Sequence, residues 1–596
     1  MKKEREKLLR ILAPLPGLHQ LLTSEKSLEA KRIDFRNFLS GLYHDFEDHP
    51  GIPSLKWVLT HNVINICRNL ISKRNETLAG FSFLQYLVEV LTPDGKTGIR
   101  SPASAFLAEM DHMMAALRGE AGIYREKAPA FLKYKGLRAA KMRSADLSRM
   151  ARAADSQIDR FVNGLDPETI RHRSKNTHRI MAHFDATELE WKDWKWHVRH
   201  IIKDADTLRG IVDLTEEEYR AIKLARENKI PFGITPYYLS LFEQEKDHPW
   251  DRGIRSQVIP TLRYVEKMIE KRASSEQSID FMLEHDTSPI EGITRRYPNI
   301  VILKPILTCP QICVYCQRNW EIEDVYSPHA ALSEKRQEKA IKWIEERPEI
   351  NEVLITGGDP LLISNKKLEH LLFRLSRNPN IIRIRIGTRT PVTLPQRITD
   401  QLVKDINRYH IPGRREILII THFEHTTEIT PQAMEAIQKF KRYGMDVYNQ
   451  LVYTYYNSRR FQAVALRRLL RYIGVTPYYT FNTKGKEETN DYRVPIARLL
   501  QEQKEEARLS PGTLRTDKVV FNVPGLGKNY LTEGQHHDVI SILPDGRRVY
   551  EFHPWEKKLS LVDTYVYTDV PVYNYLQRLK KDGEDISAYR SIWYYY

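Results

Sequence analysis

Between Val301 and Phe481, short β-rich runs alternate with amphipathic helical segments, and this alternation constrains the fold more than any other feature. The strand-like runs are VILKP (301–305), EVLIT (352–356), IIRIRIG (381–387), REILIITHF (415–423), MDVYNQLVYT (445–454) and TPYYTF (476–481). Among the intervening segments, Leu368, Leu371, Leu372 and Leu375 sit at i, i+3, i+4 and i+7, one apolar helix face. Val464, Leu466, Leu469, Leu470 and Ile473 mark another. Strand-then-helix units in series imply a parallel sheet with right-handed crossovers. Six units fall short of an eight-strand barrel, so the expectation is an α/β fold, a partial (β/α)6 barrel. In barrels of parallel strands the chemistry gathers at the C-terminal strand ends.

The chain of 596 residues is too long for one domain. Residues 1–185 read as mostly helical, with apolar periodicity around 55–72, 78–92, 104–118 and 146–164. A second helical stretch runs from Trp191 to about Lys271. The expected divisions are therefore a large all-helical N-terminal region (1–186), a second helical region (187–290), the barrel (291–500) and a C-terminal part (501–596). Of the net charge of +15, residues 1–185 carry +9, with 30 Lys and Arg against 21 Asp and Glu. These charges are scattered and no RNA-binding signature accompanies them, so they read as a solvated helical surface, not a nucleic-acid site. There is no run of 18 apolar residues and no secretory signal pattern, which points to a cytoplasmic protein without a membrane partner.

The four cysteines are Cys67, Cys309, Cys313 and Cys316. Cys67 lies in the apolar run WVLTHNVINIC and reads as a core residue. The other three follow the first strand with spacing C-x3-C-x2-C. Three thiolates on a tight loop can ligate three irons of a [4Fe–4S] cluster and leave the fourth iron open. A structural zinc would want four protein ligands, and no fourth cysteine is near.

This spacing, after the first strand of a partial barrel, resembles the radical S-adenosylmethionine (SAM) superfamily. The resemblance implies that SAM chelates the open iron and is cleaved by one electron, from an external reductant, to a 5′-deoxyadenosyl radical. Gly357-Gly358-Asp359, after the second strand, matches the superfamily motif near the SAM amino group. IGTRTPVTLPQRIT (386–399), THFEHTTEITPQA (421–433), NQLV (449–452) and PYY (477–479) look like the lysine 2,3-aminomutase family. WKDWKWHVRH (191–200), ITPYYLSL (234–241) and SILPDGRRVYEFHPW (541–555) extend the likeness over roughly 187–563. That family adds pyridoxal phosphate (PLP), held by a lysine in a glycine-rich loop. FNVPGLGKNYL (521–531) matches that loop and puts Lys528 at the lysine position, although Gly-Leu-Gly is one residue shorter than the family's four glycines. By the same likeness Arg318 grips the substrate α-carboxylate, while His422 and Gln450 lie close to SAM. The implied reaction moves an amino group from C2 to C3 of a free amino acid. The implied assembly is a homo-oligomer, without the C-terminal zinc that some members hold through cysteines.

The same alignment addresses the substrate. Lysine-specific members use two acidic residues for the distal ammonium, and these positions hold Lys484 and Asn522 here. Two unit charges about 4 Å apart interact by about 4 kcal/mol at an effective dielectric near 20. That exceeds the roughly 1–3 kcal/mol a methylene contributes to discrimination. Lys plus Asn suits an acidic side chain and looks like the glutamate 2,3-aminomutase branch. A lysine substrate stays open if Glu487 or Glu488 fills the acidic role, and so does a radical SAM enzyme that modifies a protein or RNA.

Overall fold

The computed structural model describes the chain except residues 1, 48–53, 93–99, 124–127, 247, 250, 275–278, 484, 535 and 555–557. Two compact units emerge, each discontinuous in sequence. One comprises Ser156–Arg493 and Ser510–Gly527, the other Met1–Asp155, Val494–Leu509 and Lys528–Tyr596.

The first unit is built on one sheet in which strands follow sequence order. The two-residue β1 (Ile293–Thr294) pairs antiparallel with β2 (Ile300–Ile306). Then follow β3 (Glu352–Gly357), β4 (Arg383–Gly387), β5 (Glu416–Thr421), β6 (Val447–Tyr453), β7 (Thr476–Asn482) and β8 (Lys518–Val523). From β2 to β8 every neighbouring pair is parallel. The six expected strands are all present, and β8 is a seventh that the periodicity did not reveal. The β7–β8 connection passes through Val494–Leu509 of the other unit, so the regular strand–helix rhythm stops before β8.

The connecting helices start where the sequence supplies a cap. Ser333, Ser364, Thr399 and Thr430 accept from the backbone N–H three residues on and so satisfy a first-turn donor. Leu368, Leu371, Leu372 and Leu375 form the buried face of helix Asn365–Arg377, as their spacing predicts. β5 is almost wholly buried, as a strand covered on both faces should be.

The second unit brings the N-terminal helices together with chain from the C-terminus. Those up to Asp155 pack with C-terminal chain around the antiparallel β10 (His537–Ile542), β11 (Arg548–Phe552) and β12 (Tyr565–Thr568), which follow the short β9 (Gly527–Tyr530). Arg548 of β11 is buried against Glu109 at 2.9 Å, and Arg74 pairs with Glu551 at 2.6 Å. In the β10–β11 turn, Gly546 has φ +81, and a Cβ there would lie 2.6 Å from the Ala105 carbonyl carbon. Pro544 O accepts from Ala103 N at 2.9 Å. Cys67 is buried in this unit, and burial pushes its thiol up to about 12, as suits an inert core residue. Among the described residues no helix is long and apolar enough to cross a membrane.

Candidate active site

The cysteine loop leaves β2 at its C-terminal end. Its backbone turns on itself through Cys316 N to Cys313 O (3.2 Å), and Arg318 N donates to Cys316 Sγ (3.3 Å). Cys309, Cys313 and Cys316 share the wall of a small cavity of about 60 Å³ with Gln311, Asn319, Phe232, Val258, Tyr264 and Met268. Burial raises the thiols of Cys309 and Cys313 above the usual range, so they become thiolates only with a metal or cation to hold the charge. Among the described residues no three Cys, His, Asp or Glu side chains converge on a single metal ion. A cluster asks for something else, one thiolate on each of three irons. Gln311 is buried between Cys309 and Cys313, and both its amide atoms lack a partner. Unpaired polar atoms in such a place are costly unless something else occupies the site. The three-cysteine loop, the cavity and the orphaned amide all fit a cluster.

The GGD turn braces this loop. Gly357 has φ +117, and a Cβ on Gly358 would sit 2.7 Å from the Thr308 carbonyl carbon, immediately before Cys309. Asp359 is buried and saturated. It accepts from Thr388 Oγ1 (2.7 Å), Arg389 N (2.9 Å), Thr390 N (3.1 Å) and Leu361 N (3.1 Å). The side chain thereby ties the turn after β3 to the loop after β4, while Asp359 N donates to Thr308 O at 2.9 Å.

That second loop carries Arg389, which sequence reasoning passed over although it lies in the quoted run IGTRTPV. Its side chain is largely buried, and all three of its nitrogens donate. Nη1 donates to Cys313 Sγ (2.8 Å), Nε to His422 O (3.1 Å), and Nη2 to Glu428 Oε1 (2.8 Å) and to Gln257 Oε1. An arginine immediately after a strand end was the available signal.

His422 follows β5. A third of its side chain is exposed, yet burial by the surrounding protein and the charge of Arg389 hold its imidazole down at about 4. Gln450 is partly buried on β6, opposite Tyr479 of β7. Arg318 is mostly but not wholly buried, with Nε 3.1 Å from Glu284 and 3.1 Å from Glu321. Arg296 also pairs with Glu284 (3.1 Å), and Lys304 with Glu321 (2.7 Å). Beside Arg318, Asn319 donates to Glu488 (3.1 Å), and buried Lys486 and half-buried Lys271 each lie 3.0 Å from the same carboxylate. These cations outweigh the cost of burial and bring Glu488 down to about 2. Glu487 is exposed.

The remaining expected residues lie later in the chain. Asn522 lies on β8, and Lys528 is in β9 at the start of the other unit's C-terminal stretch. Gly525 (φ +70) and Gly527 (φ +80) give the turn before Lys528 the left-handed backbone that glycine allows. Lys484 lies outside the described residues.

The comparisons with known proteins agree with this geometry. The radical SAM superfamily model matches residues 303–466. The chain is 41% identical over 612 residues to an uncharacterised KamA family protein of Methanocaldococcus jannaschii, covering 99% of this chain and 97% of that one. It is 33% identical to the L-lysine 2,3-aminomutase of Fusobacterium nucleatum over 53% of this chain and 70% of that protein. It is also 33% identical to the glutamate 2,3-aminomutase of Clostridioides difficile, over 58% of this chain and 80% of that protein.

Proposed function

The chain belongs to the KamA family of radical SAM aminomutases, and on that premise we propose that its substrate is L-glutamate, whose amino group moves from C2 to C3 to give β-glutamate. Its cofactors are a [4Fe–4S] cluster, SAM and PLP, which when bound supply a carbon-centred radical and a ring that stabilises an adjacent unpaired electron. Cys309, Cys313 and Cys316 would hold the cluster, with His422 and Gln450 toward SAM and Lys528 at PLP.

The chain's own residues do the positioning. Asp359 fixes the loop after β4, and through it the place of Arg389 beside Cys313. His422 is neutral near pH 7, so it offers a hydrogen bond without adding charge. Glu284 and Glu321 take Arg318 through Nε, which orients its Nη edge to hold an α-carboxylate with two parallel hydrogen bonds.

One observation carries the choice of an acidic substrate. Glu488, the buried carboxylate that could have met a substrate ammonium, is already matched by two lysines. Lys484 and Asn522, at the positions where lysine-specific relatives carry acids, point the same way. The reading includes an external one-electron donor, a homo-oligomer and a cytoplasmic setting.

The test is turnover by anaerobically reconstituted protein with SAM, PLP and a one-electron reductant, offered L-glutamate and L-lysine separately. β-Glutamate alone is expected. β-Lysine alone would overturn the substrate while keeping the enzyme class.

A further inference from the structure

We infer that Arg389 tunes the reduction potential of the cluster held by Cys309, Cys313 and Cys316, through its hydrogen bond to the Cys313 sulfur. The contact is direct, Nη1 to Sγ at 2.8 Å, and it is made by a cation whose side chain is only 11% exposed. Glu428, wholly buried, accepts from Nη2 at 2.8 Å and is itself fixed by Tyr238 Oη (2.7 Å) and the backbone N–H groups of Glu424 and His425. Gln257 takes the same nitrogen, and its Oε1 also accepts from Tyr315 Oη at 3.0 Å, one residue before Cys316. The guanidinium is thus clamped from three sides with one N–H aimed at a ligand sulfur.

Hydrogen bonds to ligand sulfurs and nearby positive charge are among the main levers on the potential of an iron–sulfur centre. Each favours the form carrying the extra electron. An external one-electron donor supplies that electron, and the cluster is the group reduced. Arg389 contributes no bond and no electron. It makes the reduced form easier to reach, and so acts as a positioning residue.

The inference rests on the cluster assignment, and iron content separates the two. Full-length wild-type protein, Arg389→Lys, Arg389→Met, Glu428→Gln and the double variant Arg389→Gln with Glu428→Gln are reconstituted anaerobically and assayed for iron. Each is then titrated with dithionite and redox dyes without SAM, and the reduced cluster is followed by EPR. In Arg389→Met the ratio of reduced to oxidised cluster at the wild-type midpoint is expected to fall at least ten-fold, which is 59 mV for a one-electron couple. Arg389→Lys, which keeps the charge, stays within about three-fold. The double variant leaves no buried carboxylate uncompensated and carries the test if Arg389→Met fails to fold. Relative to Glu428→Gln alone it falls in the same direction. Full iron content with a ratio within three-fold of the parent, in Arg389→Met or in the double variant, overturns the inference. So does loss of iron from every Arg389 variant, Lys included, because that marks a residue needed only for assembly. Absence of iron from the wild type overturns the cluster assignment itself.

Discussion

Replacing Asp359 with Ala removes the acceptor of four hydrogen bonds at the junction of the β3 and β4 loops. Two of the four donors have recourse. The Thr388 hydroxyl can rotate, and Thr390 N also reaches Thr388 Oγ1 at 3.0 Å. Arg389 N and Leu361 N are left without a partner, at about 1–3 kcal/mol each. Against that, the variant no longer buries a carboxyl whose pKa is already raised by desolvation, which returns part of the cost. The net destabilisation is about 3 kcal/mol. At about 2 °C per kcal/mol for a large domain, the melting temperature should fall by about 6 °C. Asp359→Asn, which keeps one acceptor oxygen, should lose about half as much. Calorimetry on the apo protein reads this without any cofactor. A melting temperature within 1 °C of wild type, combined with lost SAM affinity in the loaded protein, would refute the brace and return Asp359 to direct ligand contact.

Gly358→Ala pushes a methyl group into the Thr308 backbone, so reconstituted iron should drop well below four per chain, and retention of four irons would show that the turn can yield. Glu488 has its pKa lowered from 4.5 to about 2, so its contribution is complete above pH 4.5 and disappears as the pH falls toward 2. That is worth about 3 kcal/mol, and Glu488→Gln should flatten this part of a urea-midpoint profile. His197, His422 and His425 are each held at about 4 by burial, so stability they contribute is full above pH 6.5 and is lost as the pH falls through 6.5 toward 4. A urea midpoint that stays constant between pH 7 and 4.5 would show that these imidazoles charge without penalty.

The partial barrel and the cysteine site were legible because both are written locally. Period-two and period-3.6 apolar patterns name strands and helices, and three thiolates within eight residues must share one loop. The Ser and Thr caps before the barrel helices, and the leucine face of Asn365–Arg377, needed no tertiary information either. The seventh parallel strand was not legible, because its connection leaves the repeat to run through the other unit. Nor was the roll of partners around Arg389, which joins residues 257, 313, 422 and 428 from four separate segments.

Periodicity and spacing therefore determined the six-strand core of the barrel and pointed to the cluster chemistry, since both depend on residues near one another in the chain. Only the tertiary structure decided what each charged group does. Asp359 reads in sequence as part of a ligand motif and is found saturated by three backbone N–H groups and the Thr388 hydroxyl. Glu488 reads as a free acid and is found between two lysines. Arg389 reads as one residue of a long run and is found on a cysteine sulfur. A side chain's role depends on which opposite charges and donors the fold brings within about 3 Å of it, and those arrive from segments tens to hundreds of residues away.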